Sequence, residues 1–516
     1  MKWSSYVQLW RIIYYSYRFG IDDLLYQIPF FKRFGFLYYS NPLTWFSTTR
    51  RLPLTVRIPL FLEALGPLYI KLGQLLSTRT DMFSKEVVDC LSRLRDKVEP
   101  FNQAQLHKQL TIAYGDYTTV ITTISPTPMA SASIAQVHRA TLTNGKPVVL
   151  KVVRPNIEKF IKRDLQLLQD IQSLILTMYP SFKRFNIPDI LKELQRVLFT
   201  ELDLRNEAKA IRSFKQQYQH LPSRPVILPT INYELSNQTV LVMDELHGVS
   251  LTELERLDTK NISRTQIAKL ILDIFFEQIF YFEHFHADIH PGNIFIDIQN
   301  PAQPQLILLD FGIIGRLSKR DKYYLAKNIF ALLDRDFEMV ASLHIDSEWL
   351  PDETDIPSFI RDLEEIVTML HNKEIKDISF GKILFSVFST AKKHKINIQP
   401  QLLLLQKTVL HLESLARQLD PSIDLWAYSK PKIKQWLTDQ RSITNSVKRF
   451  VQVLQMADTI LSTQSFETIN KQFIRLTKQT MQTHDELLIL KKSQTRLTML
   501  LIIATLLLGM IYFFRP

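Results

Sequence analysis

Two short motifs in the second half of the chain constrain its fold most. HADIHPGN contains Asp288 and Asn293, and the downstream LLDFG contains Asp310. The separation of Asp288 and Asn293 is that of the catalytic carboxylate and the metal-binding amide in a phosphoryl-transfer loop. A DFG alone is weak evidence, but both motifs in this order predict a site in which Asp288 is the catalytic carboxylate and Asn293 and Asp310 bind a metal.

The first strand signals lie well before these motifs. Residues 118–153 contain β-rich runs with a loop at SPTPMASAS and the turn Asn144-Gly145, which is a strong hairpin signal. Residues 239–246 (TVLVMDEL) predict a further strand. The sequence therefore predicts a small sheet formed mainly by the middle of the chain.

Helical spacing of apolar residues surrounds the predicted sheet. It is present in residues 54–98, in residues 156–219 and over most of the chain beyond the stretch 245–248. A strand-containing lobe, a hinge at 245–248 and a larger helical lobe follow one another in the order of a protein kinase.

Lys151 ends the strand VVLK directly after the predicted hairpin. A kinase places the lysine that binds the nucleotide phosphates there. A half-buried lysine needs an acidic neighbour to remain charged, and a following helix offers Glu201 and Glu207. Position alone leaves both acids open, and Lys151 could also be a surface lysine at a strand end.

The glycine-rich loop expected over the nucleotide is missing. The chain has 12 glycines, and the run MASASIAQV occupies the place of the loop. Small side chains still let backbone amides approach a phosphate, although with less conformational freedom than glycine. We expect ATP with Mg²⁺ to be bound, in an altered geometry, by Met129, Ala130, Ser131, Ala132, Ser133, Ile134, Ala135, Gln136 and Val137.

The histidines of HFHADIH support an opposing hypothesis. His284, His286, Asp288 and His290 alternate along the chain and could form a metallohydrolase cluster. That hypothesis leaves Lys151 and the DFG motif unexplained and provides no second group of ligands.

Charge and aromatic content point to a membrane. The net charge is +12, and residues 1–53 interleave basic and aromatic residues such as Trp10, Arg11 and Tyr14. This composition is typical of membrane interfaces and favours an anionic lipid surface over nucleic acid. The aromatics could equally pack on the main domain.

Residues 497–514 (LTMLLIIATLLLGMIYFF) contain no charge and would span about 27 Å as a helix. Lys491, Lys492 and Arg496 precede this run, which places its N-terminal side in the cytoplasm. We expect a single-pass C-terminal anchor and a cytoplasmic catalytic body. Cys90 is the one cysteine, which fits a reducing compartment.

Four motifs together resemble the UbiB family of atypical kinase-like proteins, which is linked to ubiquinone (coenzyme Q) biosynthesis. They are KLGQ at 71–74, ASAS at 130–133, ELD at 201–203, and HADIHPGN with DFG. The resemblance extends from about residue 10 to the C-terminal hydrophobic segment. It implies that the KxGQ helix folds over the active site, hindering a protein substrate.

The resemblance also implies roles for single residues. Lys71 and Gln74 would project towards the nucleotide, and Glu201 and Asp203 would meet the KxGQ helix. Without the family, Lys71 could equally be a solvated lysine on an amphipathic helix.

Glu207 would then be the partner of Lys151. An alanine-rich loop replaces the glycine-rich loop in the family, and Ser131 stands where a pure alanine loop has alanine. Relatives often have two C-terminal hydrophobic segments, whereas this sequence shows one.

The expected fold is α+β, an atypical protein-kinase-like two-lobed fold with an N-terminal helical KxGQ extension and a C-terminal transmembrane helix. Its expected segments are an interfacial segment (1–53), the KxGQ extension (54–117), the N-lobe (118–245), the C-lobe (246–440), a juxtamembrane segment (441–496) and the membrane helix (497–514).

The resemblance implies ubiquinone synthesis at the bacterial cytoplasmic (inner) membrane. Biosynthetic enzymes and membrane lipid or quinone intermediates would be the partners, and nucleic acid would not. A protein kinase regulating a hydroxylase, a lipid-stimulated ATPase that extracts or presents quinone intermediates, and a non-catalytic scaffold remain open. Intact Lys151, Asp288, Asn293 and Asp310 argue against the scaffold.

Overall fold

The computed structural model describes most of the chain before residue 442. The described residues are 3–25, 48–77, 85–92, 94, 98–180, 187–219, 226–260, 262–334, 336–346, 354–368, 380–394, 396 and 399–441. The predicted membrane helix at 497–514 and nearly all of the predicted juxtamembrane segment lie outside them. Among the helices that are described, none combines the length and the apolar character needed to cross a membrane.

The described residues form a helical layer, a strand-rich N-lobe and a helix-rich C-lobe, in that order. The helices are α1 (Trp3–Phe19), α2 (Asp22–Leu25), α3 (Leu54–Leu65), α4 (Pro67–Ser77), α5 (Lys85–Leu91), α6 (Gln103–Tyr114), α7 (Ile157–Met178), α8 (Ile187–Glu201), α9 (Leu204–Gln219), α10 (Leu254–Asp258), α11 (Arg264–Phe280), α12 (Lys319–Asp334), α13 (Phe337–Asp346), α14 (Ile356–Thr368), α15 (Phe380–Lys393), α16 (Pro400–Leu419) and α17 (Leu425–Arg441). The strands are β1 (Ile121–Ile124), β2 (Ala130–Ser131), β3 (Ala135–Leu142), β4 (Pro147–Val153), β5 (Val226–Ile227), β6 (Val240–Asp244), β7 (Val249–Ser250), β8 (His284–His286), β9 (Ile294–Asp297), β10 (Gln305–Leu308) and β11 (Ile314–Arg316).

The N-lobe is built on an antiparallel sheet with the strand order β1-β3-β4-β6, and β2 pairs with the free part of β3. The predicted hairpin between β3 and β4 is confirmed, and its turn contains Gly145 at a φ of +80°. Glycine adopts this φ without steric cost. Side chains alternate across the sheet, so Leu150 packs with Leu106 and Leu110 of α6 while Lys151 lies on the opposite face.

The helical layer is held together by buried ion pairs. Arg57 donates to the Asp23 carboxylate and to the Gly20 carbonyl, both at 2.9 Å. Arg50 donates to Asp22 at 2.5 Å. From this layer α4, which contains the KLGQ motif, packs on α7 and α8, the two long helices that follow the N-lobe hairpin.

Two small sheets place the chemical motifs of the C-lobe. One has the order β5-β10-β9-β7, and the other is the pair β8 and β11. Gly315 of β11 lies opposite Phe285 of β8, and a Cβ at Gly315 would lie 2.1 Å from the Phe285 ring. Glycine is therefore required for this close approach. Because β8 leads into HADIHPGN and β11 follows DFG, the pairing fixes one motif against the other.

One apolar cluster runs through all three parts of the described structure. It includes Tyr69 of α4, Phe214 of α9, Phe275 of α11, Leu415 of α16 and Trp436 of α17. Burial of this apolar surface favours a fixed arrangement of the helical layer and the two lobes. Packing of the helical layer, the N-lobe and the C-lobe against one another therefore positions the side chains of the candidate site.

Candidate nucleotide and metal site

Lys151 lies in the middle of the N-lobe sheet, on β4 between Val137 of β3 and Leu241 of β6. Its Nζ donates to Glu207 Oε1 at 2.8 Å and to Asp310 Oδ1 at 2.9 Å. The Glu207 side chain, on α9, is 5% exposed. The predicted ion pair is confirmed, and Glu207 is the partner of Lys151.

Lys151 and Asp310 each stabilise the charged form of the other. Burial alone would lower the pKa of Lys151, but Asp310 and Glu207 raise it above its ordinary value. Burial likewise opposes ionisation of Asp310, yet Lys151 and Lys71 hold the pKa of Asp310 well below its usual range. One ammonium and one ionised carboxylate therefore face each other at neutral pH.

Asp310 has an unusual backbone conformation. Its φ is +55°, in the left-handed region that residues with a Cβ rarely adopt and that Asp and Asn tolerate best. Its side chain remains 46% exposed, and its Oδ1 accepts from the Gly312 amide at 3.4 Å. Such a conformation costs roughly 1–3 kcal/mol and is typical of functional positions. Here it accompanies a carboxylate that contacts Lys151 from the opposite lobe.

The ring of His286 fixes the HADIHPGN loop through two hydrogen bonds to backbone atoms. Its Nε2 donates to the Leu309 carbonyl and its Nδ1 accepts from the Asp288 amide, both at 3.2 Å. The Asn293 side chain donates to the Asp288 carbonyl at 3.3 Å, and the Asn293 carbonyl accepts from the Leu309 amide at 3.0 Å. These bonds join the loop to the residue before Asp310. We call the space beside Lys151, Asp288 and Asp310 the cleft.

The metallohydrolase hypothesis fails on the same contacts. Both ring nitrogens of His286 are used by the backbone, and burial lowers its pKa. His284 is buried beside Phe214. Within the described ranges, no group of three or more His, Cys, Asp or Glu residues could hold a metal ion.

The segment expected to be a phosphate loop is partly a tight hairpin. The sequence predicts a loop at SPTPMASAS, and the structure differs from this at residues 130–131, which form β2. Ala130 pairs with Val137, and the Ala132 amide donates to the Ala135 carbonyl at 2.9 Å. Met129 at its edge is exposed. The run turns back within a few residues, which a tight phosphate-covering turn also requires.

Arg154 fixes this hairpin in place. It donates to Ser131 Oγ at 2.8 Å and to the Ala132 carbonyl at 2.9 Å. Ser131 Oγ donates in turn to the Val98 carbonyl at 2.7 Å. The serine that departs from an all-alanine loop therefore ties the hairpin to the segment before α6.

Four members of the run are buried: Ser133, Ile134, Ala135 and Gln136. The Gln136 Oε1 accepts from the His138 Nε2 at 3.1 Å, and both side chains lie on the face of β3 away from Lys151. The side chain of Gln136 therefore points away from Lys151, and its expected part in nucleotide binding stays a prediction for the backbone of the run. Val137 lies directly opposite Lys151 and shares its face.

Lys71 of α4 meets Glu201 at the end of α8, with 3.0 Å between Nζ and Oε1. Both side chains are nearly buried, at 8% and 10% exposed. The charge of Lys71 also helps to lower the pKa of Asp288 and of Asp310. The predicted approach of the KxGQ helix to the cleft and to Glu201 is confirmed by these contacts.

The other two residues of these motifs make different contacts. Gln74 donates to the Leu94 carbonyl at 3.5 Å. Asp203 accepts from the Arg205 side chain at 2.7 Å and from the Arg205 amide at 3.1 Å. The expectation that Asp203 meets the KxGQ helix was wrong, because its carboxylate caps the first turn of α9.

A cation that the motifs did not indicate lies beside Asp288. Lys407 of α16 places its Nζ 3.7 Å from Asp288 Oδ1. Burial raises the pKa of Asp288, but Lys407, His290 and Lys71 together lower it below the ordinary value. The one sequence signal was a short polar interruption, Gln406 to Thr408, in the leucine-rich run LLLLQKTVL.

These groups lie between a sheet-based lobe and a helical lobe, as the nucleotide-binding groups of protein kinases do. The chain is therefore kinase-like, and the hairpin without glycines and the helical layer beside the cleft make it atypical. Two domain profiles agree: residues 93–344 match the ABC1 atypical kinase-like domain and residues 363–424 match the UbiB helical domain.

Curated relatives define the family more closely. A protein of Marinobacter nauticus is 39% identical, over 74% of this chain and 70% of its own length. Proteins of Photobacterium profundum and Pseudomonas fluorescens are each 37% identical, over 86% of this chain and 82% and 83% of their own lengths. All three are named "Probable protein kinase UbiB". The chain belongs to the UbiB family, which confirms the resemblance seen in its motifs.

Proposed function

We propose that this protein binds ATP with Mg²⁺ in the cleft and transfers or releases the terminal phosphoryl group. The observation that carries the proposal is the convergence of Lys151, Glu207 and Asp310 at 2.8 and 2.9 Å beside the loop of Asp288 and Asn293. Phosphoryl transfer depends on placed cations and carboxylates more than on covalent chemistry by the protein.

The residues present suit a magnesium ion. Mg²⁺ prefers oxygen ligands. Asp310 offers an ionised carboxylate, and Asn293 offers its side-chain oxygen because its nitrogen donates to Asp288. When bound, Mg²⁺ would neutralise charge on the phosphates. Lys151, kept charged by Glu207, would bind the phosphates from the N-lobe side.

Asp288 is suited to orienting the acceptor. Its pKa is lowered and its side chain is 24% exposed, so an ionised carboxylate is accessible at neutral pH. Such a group accepts a hydrogen bond from an attacking hydroxyl or water and aligns it, but is a weak base. The site therefore contributes mainly by positioning and by charge.

In the cell, we propose a role in aerobic ubiquinone (coenzyme Q) biosynthesis at the bacterial inner membrane, as a kinase that regulates a biosynthetic hydroxylase. The names of the relatives support the kinase activity. The uncharged run 497–514 supports a membrane anchor, and the net charge of +12 supports contact with anionic lipid.

A specific observation favours a second candidate, a lipid-stimulated ATPase that extracts or presents quinone intermediates. A cavity of about 80 Å³ lies between α11, α12, α16 and α17. Its walls are almost wholly apolar and include Phe276, Ile329, Leu412 and Ile433. Apolar cavities of this kind accept apolar ligands. Part of an isoprenoid chain would suit these walls.

The two candidates differ in where the phosphate goes. The experiment supplies ATP labelled on the γ-phosphate to membranes that contain the full chain and quinone precursors. Label on a protein that disappears with Asp288→Asn supports the kinase. Free phosphate that increases with lipid supports the ATPase. No ATP-dependent label in either pool would refute both.

A further inference from the structure

Helix α16 carries a polar face that contacts the catalytic loop. Lys407, Thr408 and His411 interrupt an apolar run, and their spacing places them on one side of the helix. Thr408 is fully buried, and its Oγ1 lies within hydrogen-bonding distance of two carbonyls, that of Leu404 in the same helix at 2.7 Å and that of Ala287 at 3.2 Å. The contact with Ala287 places the helix directly against the residue before Asp288.

Lys407 lies next to this anchor and keeps unused hydrogen-bonding capacity. Its Nζ is 3.7 Å from Asp288 Oδ1, which is longer than a hydrogen bond. In the part of the chain that the structure describes, this is the one ion pair of Lys407. An ammonium has three donors, and the side chain is 19% exposed. A further acceptor can therefore bind there.

The other two lysines near the cleft are already engaged. Lys151 is bonded to two carboxylates and Lys71 is paired with Glu201 at 3.0 Å. Lys407 approaches from the side of Asp288, where the acceptor would lie. The terminal phosphate must lie between the acceptor and the groups that bind the rest of the nucleotide. Lys407 is thus placed to contact the phosphoryl group while it is being transferred.

We propose that Lys407 binds the terminal phosphate of ATP and stabilises the charge that spreads over its oxygens during transfer. The inference rests on the proposed ATP chemistry and adds a residue from α16, outside the kinase-like region 93–344. It assigns to α16 the role that a separate cation from a partner domain has in other phosphoryl-transfer proteins.

The step balances without any further reagent. The bond between the γ-phosphorus and the bridging oxygen breaks, and its electron pair remains on ADP. A bond forms between the acceptor oxygen and the phosphorus, and the acceptor proton passes to Asp288 or to water. Lys407 remains an ammonium throughout and acts by charge and hydrogen bonding.

A simpler role for Lys407 would be to balance the charge of Asp288. The two roles differ in how they depend on Asp288 and on the ligand. A charge-balancing lysine acts through the ionised Asp288, so in an Asp288→Asn background its removal should leave the affinity for the transition-state mimic unchanged, whereas a phosphate-binding lysine should still contribute there. A phosphate-binding lysine acts only where a third phosphate or its mimic is present.

The experiment measures binding of Mg²⁺-ADP, with and without aluminium fluoride, to the full chain in detergent. We expect Lys407→Met to weaken the fluoride complex roughly 10²-fold and to change ADP binding by less than about twofold. Lys407→Arg should recover most of the loss. Lys430→Met is the matched control, because Lys430 pairs with Asp334 on the surface away from the cleft.

Equal affinity of Lys407→Met and the unaltered chain for the fluoride complex would overturn the inference. An equal loss for both ligands would overturn it as well. If the unaltered chain binds neither ligand, the proposed function itself fails and the inference fails with it. Thermal melting checks the fold, and Lys407→Gln replaces Lys407→Met with the same expected loss if the methionine variant does not fold.

Discussion

Glu207 in the cleft and Asp164 in the contact between α7 and the helical layer are both buried carboxylates, but their surroundings differ. Both oxygens of Glu207 lie 2.8 Å from the ammonium of Lys151. One oxygen of Asp164 has no hydrogen-bond partner among the described residues. The nearby Arg11 donates instead to the carbonyls of Ala64 and Leu65, at 3.2 and 2.6 Å.

Burial raises the pKa of both carboxyls, but at Glu207 the ammonium of Lys151 directly opposes the shift. Burial raises the pKa of Asp164 to about 6, and the charges of Arg11 and Arg163 counter it only in part. In the cleft each buried acid meets a lysine. Buried carboxylates that face the cleft are therefore compensated by a lysine, whereas the carboxylate of Asp164 beside the helical layer is compensated only in part. Substitutions in the two regions should therefore change stability in opposite directions.

The largest effect is expected for Lys151→Met. Glu207 would remain buried without its cation, which costs roughly 3–5 kcal/mol of unfolding free energy, and ATP turnover should be lost. Chemical denaturation and turnover assays measure the two effects. Lys146→Met, directly before the same strand, is the control, because its side chain is 54% exposed and should contribute less than about 1 kcal/mol. Native stability of Lys151→Met would show that Glu207 is compensated elsewhere.

The second pair, Lys71 and Glu201, tests whether the cleft is charge-balanced beyond the nucleotide site. We expect a double-mutant cycle of Lys71→Met and Glu201→Gln to give a coupling energy of about 1–3 kcal/mol, since both side chains are nearly buried. Denaturation curves of the two single variants and the double variant provide it. A coupling near zero would mean that the two groups are solvated independently.

Two substitutions of Asp310 can separate the effect of losing its carboxylate from the effect of backbone strain at its positive φ. Asp310→Gly and Asp310→Ala both remove the carboxylate and should both abolish Mg²⁺-dependent ATP turnover. Because φ is +55° there, the glycine variant should be more stable than the alanine variant by about 1 kcal/mol. Thermal unfolding of the two variants compares them. Equal stability would indicate that the backbone relaxes when the carboxylate is lost.

Asp164→Asn should have the smallest effect and the opposite sign. The folded pKa of Asp164 is raised to about 6, against roughly 4 in the unfolded chain. This carboxyl therefore favours folding below about pH 4, and that contribution disappears as the pH rises through 6.

The asparagine variant should gain roughly 1–3 kcal/mol at pH 7. It should also lose the pH dependence of stability between pH 4 and 7. Unfolding at several pH values measures both effects, with Asp170→Asn on the same helix as the control. A destabilised Asp164→Asn would mean that the ionised form has a partner.

The sequence predicted those parts of the site that local geometry determines. Lys151 follows a two-residue turn on a paired strand, and Asp288 and Asn293 lie in one loop at a fixed separation. Asp310 follows a short strand that is largely buried. In each case the position follows from a few neighbouring residues, so the spacing alone was informative.

The partner of Lys151 required tertiary packing. Glu201 ends α8 and Glu207 lies in the first turn of α9, and the chain turns between them at Asp203. The turn directs Glu201 to α4 and Glu207 to β4. Sequence spacing cannot reveal this division, because both acids belong to one helical pattern.

Long-range contacts were missed for the same reason. Lys407 is distant from Asp288 in the chain, and a lysine on a helix is usually solvated, so nothing local indicated a role. The hairpin at Ala130 and Ser131 was missed because its two-residue strand is too short to show an alternating pattern. The capping role of Asp203 was open to inference from its position before Leu204.

Two of the cations around Asp288 come from outside the kinase-like region 93–344. Lys71 precedes it and Lys407 follows it. A fragment cut at the borders of that region would have a correct lysine, DFG and catalytic loop, yet an altered electrostatic environment for its key carboxylate. Chimeras between relatives should therefore exchange the extension, the kinase-like region and α16 together, since all three parts contribute charge around Asp288.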